Sequence, residues 1–313
     1  MDDVLSYIGR QGVFCGDFSA ERISAGASGS AVYAVADRCG KYILKASQDT
    51  GGKDAHQSSP FAREYAFHTL NRRLKLPFVP KVVYAEKSPV YGDLLVLERL
   101  TPIAHSDWDE ALLRKTADAC ARLHSLDANL FADLHLRREP VRIDREATDK
   151  AYDEWQAVLR RHEGAFQENM LTEIHTHLDV VCPVLNRGPF CICHGDFHPD
   201  NIVTDGKRIY IIDWQNISVG KGAGDLSFFI QRSDGFGIPT NSGRLFAEYA
   251  ERLSFYTGRQ CDETTLLRES SASALLTIFI FWAYFLTDAP RARVETLFNA
   301  MTEAYKCLQT DQV

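Results

Sequence analysis

The stretch that decides the fold is His194–Asp213, HGDFHPDNIVTDGKRIYIID. Phe190–His194 reads as a short apolar strand, and Arg208–Asp213 (RIYIID) reads as another. The polar residues between them therefore sit on a loop held at both ends. Asp196 is followed five residues later by Asn201 and, twelve residues beyond that, by Asp213. A carboxylate can accept a proton, while a carboxamide and a second carboxylate are hard oxygen donors suited to Mg2+.

Phosphoryl transfer asks little more of a protein than this: positioning, a group that takes the alcohol proton, and cations that neutralise phosphate charge. The D-x-x-x-x-N…D spacing is that of a kinase catalytic loop. With HGDFHPDN, IIDWQ downstream and GAGDLSFF at Gly222–Phe229, the chain resembles the aminoglycoside phosphotransferase and choline-kinase-like enzymes. The likeness is strongest over residues 190–230 and weaker but ordered over residues 22–100. It implies an α+β, two-lobed protein-kinase-like fold, with a small β-rich N-terminal lobe and a larger, mainly helical C-terminal lobe. It also implies ATP and Mg2+ as cofactors and a small-molecule hydroxyl as acceptor. Asp196 takes the place of the catalytic base, and Asn201 and Asp213 those of the metal ligands. His194 would organise the loop through hydrogen bonds, and Asp225 would brace it through backbone N–H groups. The role of His198 stays open between phosphate, substrate and solvent.

The same order of parts runs through the N-terminal region. Residues 22–50 alternate as β structure around a Gly/Ser turn, Ala25–Ser30 (AGASGS). Small residues such as Ser28, Gly29 and Ser30 let backbone N–H groups approach phosphates closely. Lys45 on the next strand (YILKAS) stands where the resemblance puts the lysine that contacts the α- and β-phosphates. Glu64, on a helix expected over Phe61–Leu74, is its expected ion-pair partner. Leu97–Leu100 matches the link between lobes, where the Glu98 carbonyl and the Leu100 N–H would meet the adenine edge. These expectations divide the chain into a nucleotide-binding lobe, 1–98, and a catalytic and substrate-binding lobe, 99–313. Helices are expected over Trp108–Leu126, over 146–181 and through most of the chain after Asp225.

The 313 residues carry 45% hydrophobic and 25% charged side chains and a formal charge of −7, enough for a packed core. No basic stripe or zinc-finger pattern marks a nucleic-acid partner. The most apolar run, Ala274–Leu286, is too short by itself for a bilayer and is expected as a buried helix, so no membrane partner is expected. MDDVLSYIGR lacks the apolar core of a signal peptide, which points to the cytoplasm. The eight cysteines form no C-x-x-C pair and are expected as reduced, mostly buried thiols. Cys191-x-Cys193-His194, with His198, invites a zinc reading, but strand alternation puts the two cysteines on one face and His194 on the other. With no second ligand cluster evident, no metal–thiolate site is expected. His175-x-His177 sits in a helical pattern, where i and i+2 diverge, and reads as a solvated face.

Two rivals remain to be weighed. A signalling protein kinase expects H-R-D, D-F-G and A-P-E. Here H-G-D and Asp213-Trp214-Gln215 replace the first two, no A-P-E follows, and Asp213–Asp225 is short for a regulated loop. A non-catalytic pseudokinase or scaffold would lack the base, the metal aspartate or the lysine, and all three are present. Specificity should lie in residues 140–182 and 232–300, where Tyr152, Trp155, Trp282 and Tyr284 could line a pocket, although such residues are more often core. The acidic balance and the resemblance favour an amine-bearing or polyhydroxyl acceptor. The motifs leave open which hydroxyl, ATP or GTP, and the oligomeric state.

Overall fold

Period-two alternation in SAVYAVA and KYILKAS builds the first sheet. In the computed structural model, which describes residues 3–23, 30–47, 60–162 and 166–310, five antiparallel strands lie in the order β1-β2-β3-β5-β4. They are β1 (Ser19–Ile23), β2 (Ser30–Ala36), β3 (Lys41–Ser47), β4 (Val82–Ser88) and β5 (Gly92–Glu98). Helix α1 (Asp3–Arg10) precedes the sheet, and α2 (Pro60–Leu74) joins β3 to β4. Leu44, Ala46, Leu94 and Val96 share one core with Val4, Leu5 and Ile8 of α1. The alternate residues of β5, Leu95 and Leu97, pack with Phe61 and Tyr65 of α2. Lys45 lies between Leu44 and Ala46 and pairs with Leu95, so it points to the α2 face. The sequence reading assigns no element to Asp3–Arg10; its apolar stripe of Val4, Leu5 and Ile8 is too brief for periodicity to speak.

Five short strands follow: β6 (Thr101–Pro102), β7 (Cys191–Cys193), β8 (Ile202–Thr204), β9 (Ile209–Ile211) and β10 (Ser218–Gly220). β6, β8 and β9 form one sheet in that order, and β7 and β10 form another. The chain divides into two compact units. The first gathers Met1–Ala104, Asp127–Leu136 and Asp200–Ile217; the second gathers His105–Leu126, Arg137–Pro199 and Ser218–Val313. Within the first, the Ile211 N–H donates to the Phe78 carbonyl (2.8 Å). Phe67 of α2 stacks on Trp214 with ring centroids 4.1 Å apart.

The second unit is mainly helical. Its helices are α3 (Glu110–His124), α4 (Arg145–Arg160), α5 (Glu168–Thr176), α6 (Val181–Leu185), α7 (Gly222–Gly235), α8 (Ser242–Thr257), α9 (Glu263–Thr277), α10 (Ala283–Phe285) and α11 (Arg291–Gln309). Asp109 caps α3 by accepting the Leu112 N–H (2.8 Å), and Asp262 caps α9 in the same way. Trp155, weighed between pocket and core, is core: it is fully buried, and its indole N–H donates to the Phe279 carbonyl (3.0 Å).

Two expectations need correction. The apolar run after Ala274 belongs to a longer helix, Glu263–Phe285, in which a π-helical turn (Ile278–Trp282) joins α9 to α10. These 23 residues are long and apolar enough to cross a membrane, and half of the apolar window is buried. Leu275, Ile278, Phe279 and Ala283 face the core, but Phe281, Tyr284 and Phe285 are exposed, so the helix is buried on one side only. The cysteines are not all reduced either: Cys15 and Cys39 form a disulfide across 24 residues, with Cα atoms 6.0 Å apart. Their spacing carries no sequence signal. Asp37 brings them together, accepting the N–H of Cys15 (2.6 Å) and of Cys39 (2.7 Å).

Candidate active site

In the first unit Lys45 Nζ lies 2.7 Å and 2.8 Å from the two carboxylate oxygens of Glu64. Glu64 is fully buried. β3 supplies the lysine and α2 the glutamate because both project from the same side of the sheet. Asp213 Oδ1 is 3.9 Å from the same ammonium. Burial disfavours the charged lysine, but Glu64 and then Asp213 outweigh it, and its pKa is raised. One helical turn beyond Glu64, His68 Nε2 approaches Glu64 Oε1 at 3.8 Å. Burial pushes His68 down to about 4, with Glu64 pulling up and Lys45 pushing down, so the ring is neutral at pH ~7.

Asn201 and Asp213 flank the hairpin made by β8 and β9. Ile202 pairs with Ile211, and the Ile212 N–H donates to the Asn201 carbonyl (2.9 Å). Both residues thus leave the hairpin at its open end. Asp213 sits in the left-handed region (φ 65°, ψ 63°), a conformation that costs a non-glycine residue about 1–3 kcal/mol and is kept where the surroundings enforce it. Gln215 Nε2 donates to Asp213 Oδ2 (3.3 Å). A carboxamide and a carboxylate at one hairpin end form an oxygen donor set that fits Mg2+.

The second unit holds Asp196 and its support. β7 ends at Cys193, and the chain turns at Gly195, whose φ of 80° suits glycine. Asp225, in the first turn of α7, accepts the N–H of His194 at Oδ2 (2.7 Å) and that of Gly195 at Oδ1 (3.0 Å). The Asp196 N–H donates to His194 Nδ1 (3.3 Å). The Asp196 carboxylate is 27% exposed, and His198 Nε2 lies 3.7 Å from its Oδ2.

His124, at the end of α3, is the residue that the sequence reading misses. Its Nε2 is 3.1 Å from Asp225 Oδ2 and its Nδ1 2.8 Å from the Tyr249 hydroxyl. Burial opposes the Asp225 anion, but the His124 hydrogen bond and charge outweigh it and hold the carboxyl below its usual range. Burial likewise opposes the His124 cation, but Cys120, Tyr249 and Cys191, followed by the Asp225 hydrogen bond, outweigh it and raise its pKa well above the ordinary histidine range. The available signal was a histidine on the stripe Ala117, Cys120, Ala121 and His124, whose spacing of three and four marks the buried face of α3. A histidine there needs a polar partner.

Of the nucleotide-contact expectations, Ser28 and Gly29 lie outside the described residues, and Ser30 is buried in β2 opposite Ser47. Glu98 ends β5 opposite Tyr42, its carboxylate accepting the Lys81 N–H (2.7 Å). Leu100 follows, half-buried. Among the other candidates, Tyr152 stacks on His175 (4.4 Å), Trp282 donates to Gln231 (2.8 Å), and Tyr284 is exposed. His175 Nε2 lies 2.7 Å from Asp149 Oδ1.

A family model described as "Phosphotransferase enzyme family" matches residues 19–261. No curated protein matches the chain significantly by sequence. Among solved structures, choline kinase from Cryptosporidium parvum is similar with a TM-score of 0.62 at 10% identity, over 97% of this chain and 96% of that one. A macrolide 2'-phosphotransferase from Brachybacterium faecium gives 0.58 at 18% identity, over 96% and 98% of the two chains. An ADP-bound aminoglycoside phosphotransferase gives 0.53 at 15% identity, over 97% and 99%. At these identities the structural likeness shows the two-lobed kinase-like fold.

Proposed function

The chain belongs to the phosphotransferase enzyme family, and from that premise we propose that it moves the γ-phosphoryl group of ATP to a hydroxyl of a small molecule. The observation that carries this reading is the buried Lys45–Glu64 ion pair with Asp213 beside it. An ammonium fixed on a strand in this way serves phosphate oxygens and is hard to explain as a surface lysine. In this reading residues 1–98 hold the nucleotide, with Ser28, Gly29 and Ser30 over the phosphates and the Glu98 carbonyl and Leu100 N–H on the adenine edge. Residues 99–313 supply the catalytic loop and the acceptor site. Asn201 and Asp213 are the residues that would hold Mg2+, which when bound neutralises charge on the phosphates.

Asp196 then orients the acceptor hydroxyl and takes its proton. Asp225 fixes the two amides before Asp196, so the carboxylate is aimed by backbone geometry. The neighbours are named for choline, a macrolide and an aminoglycoside. Together with the net charge of −7, this supports an amine-bearing or polyhydroxyl acceptor. The cytoplasm, where ATP is at hand, is the proposed compartment.

The test is ADP release from Mg-ATP across aminoglycosides, macrolides, choline-like amines, sugars and nucleosides, with wild type and Asp196→Asn side by side. Turnover should fall about 10²–10⁴-fold in the variant, with ATP affinity little changed. Near-normal turnover in Asp196→Asn removes the assignment of the base. A folded, ATP-binding wild type that yields no ADP with any acceptor returns the pseudokinase reading.

A further inference from the structure

A group of soft donors stands within the second unit, outside the chemistry proposed for the reaction. Cys191 and Cys193 are two residues apart on β7, so their side chains share a face, and their Sγ atoms are 3.8 Å apart. α3 brings His124 to that face. One ring nitrogen and the two sulfurs all lie within 4.8 Å of one another. Two zinc–sulfur bonds of ~2.3 Å at a tetrahedral angle place the sulfurs ~3.8 Å apart, so the pair already has the bite that a metal ion needs. His124 and Cys193 are buried and Cys191 is half-buried. Cys120, one turn earlier on α3, has its Sγ 3.8 Å from both ring nitrogens of His124.

We propose that His124, Cys191 and Cys193 form a binding site for a thiophilic d10 cation, zinc(II) or copper(I). Thiolate and imidazole donors select such ions over magnesium or calcium. Binding displaces the thiol protons, and the proton on the imidazole nitrogen that takes the ion, to solvent as the bonds to the ion form. One imidazole nitrogen goes to the ion and the other stays with Asp225 or Tyr249, so loading exchanges one hydrogen bond for a metal bond. With Nδ1 on the ion, the Asp225 carboxylate at Nε2 has the place that outer-shell carboxylates take behind metal-bound histidines. His194, which the sequence offered as the third ligand, is replaced by a histidine from α3. The site shares the His124–Asp225 contact with the support of the loop that carries Asp196, and its test does not depend on turnover.

The test uses reduced full-length protein, titrated with zinc(II) or copper(I) against a chromophoric chelator for each ion, with retained metal counted by mass spectrometry. Wild type should keep about one equivalent per chain of at least one ion, and the tighter of the two identifies it. Cys191→Ser/Cys193→Ser should lose affinity at least about tenfold, while Cys307→Ser keeps it. A second readout needs no variant: loading should slow alkylation of Cys191, mapped on peptides, by at least about tenfold. Failure of wild type to retain either ion, retention undiminished in the double variant, or unchanged Cys191 alkylation overturns the proposal.

Discussion

Glu64 serves two neighbours with opposite needs. Lys45 requires its negative charge, whereas His68 stays neutral beside it because burial outweighs the attraction. Glu64→Gln leaves Lys45 with Asp213 at 3.9 Å as its remaining carboxylate among the ion pairs of the described residues. Losing one partner of so buried a pair should cost about 3 kcal/mol. It should also raise KM for ATP more than it lowers kcat, as denaturation curves and steady-state kinetics would show. His68 gives a pH signature. Its folded pKa of about 4 lies below its ordinary 6.5, so between these values the unfolded chain binds the extra proton and stability rises with pH. The span is worth about 3 kcal/mol, lost as pH falls through that window. His68→Gln should flatten this part of the profile, as urea unfolding at several pH values would reveal. At this scale the sequence offers candidates where chemistry-bearing residue types stand at fixed short spacing, as with Asp196, Asn201 and Asp213. His124 was not, because its partner Asp225 lies 101 residues away and no local pattern joins them.

The hairpin of β8 and β9 is the element on which the proposed metal ligands depend. Its open end is anchored by Trp214, fully buried, stacked on Phe67 and donating its indole N–H to the Ile211 carbonyl (2.9 Å). Trp214→Ala should cost about 3–5 kcal/mol and weaken ATP-dependent turnover by releasing Asp213 from its left-handed conformation. Trp214→Phe should recover most of the stability in denaturant titrations. α2 was legible as a helix over Phe61–Leu74, and β2 and β3 before it as alternating strands. α1 was not, because its stripe is shorter than a periodicity argument needs. The disulfide was invisible for a different reason: the turn at Asp37, and no spacing rule, brings Cys15 to Cys39. Closing 24 residues restricts the unfolded chain by about 3 kcal/mol. Cys39→Ser should lower the melting temperature accordingly, and reductant should lower that of wild type but not of the variant.

The largest scale shows most plainly what a linear reading leaves out. The first unit takes three separate stretches of chain, Met1–Ala104, Asp127–Leu136 and Asp200–Ile217. Residues 1–104 alone would leave Phe67 without Trp214 and Phe131, and the Phe78 carbonyl without the Ile211 N–H. That fragment is expected to show no cooperative unfolding transition by circular dichroism, whereas the whole chain should show one. Hydrophobic periodicity marks the longer helices and strands but not which distant stretch completes a core, so the kinase-like order of parts was readable and the interleaving was not.

That interleaving has a hereditary consequence. Any unbroken length of gene that encodes the whole first unit also encodes His105–Leu126 and Arg137–Pro199 of the second. A crossover or duplication therefore cannot pass on Lys45, Glu64, Asn201 and Asp213 together without Asp196. The ammonium, the proposed oxygen ligands and the proposed catalytic carboxylate therefore travel together in any unbroken stretch of gene that carries the first unit, and that unit cannot be transplanted alone.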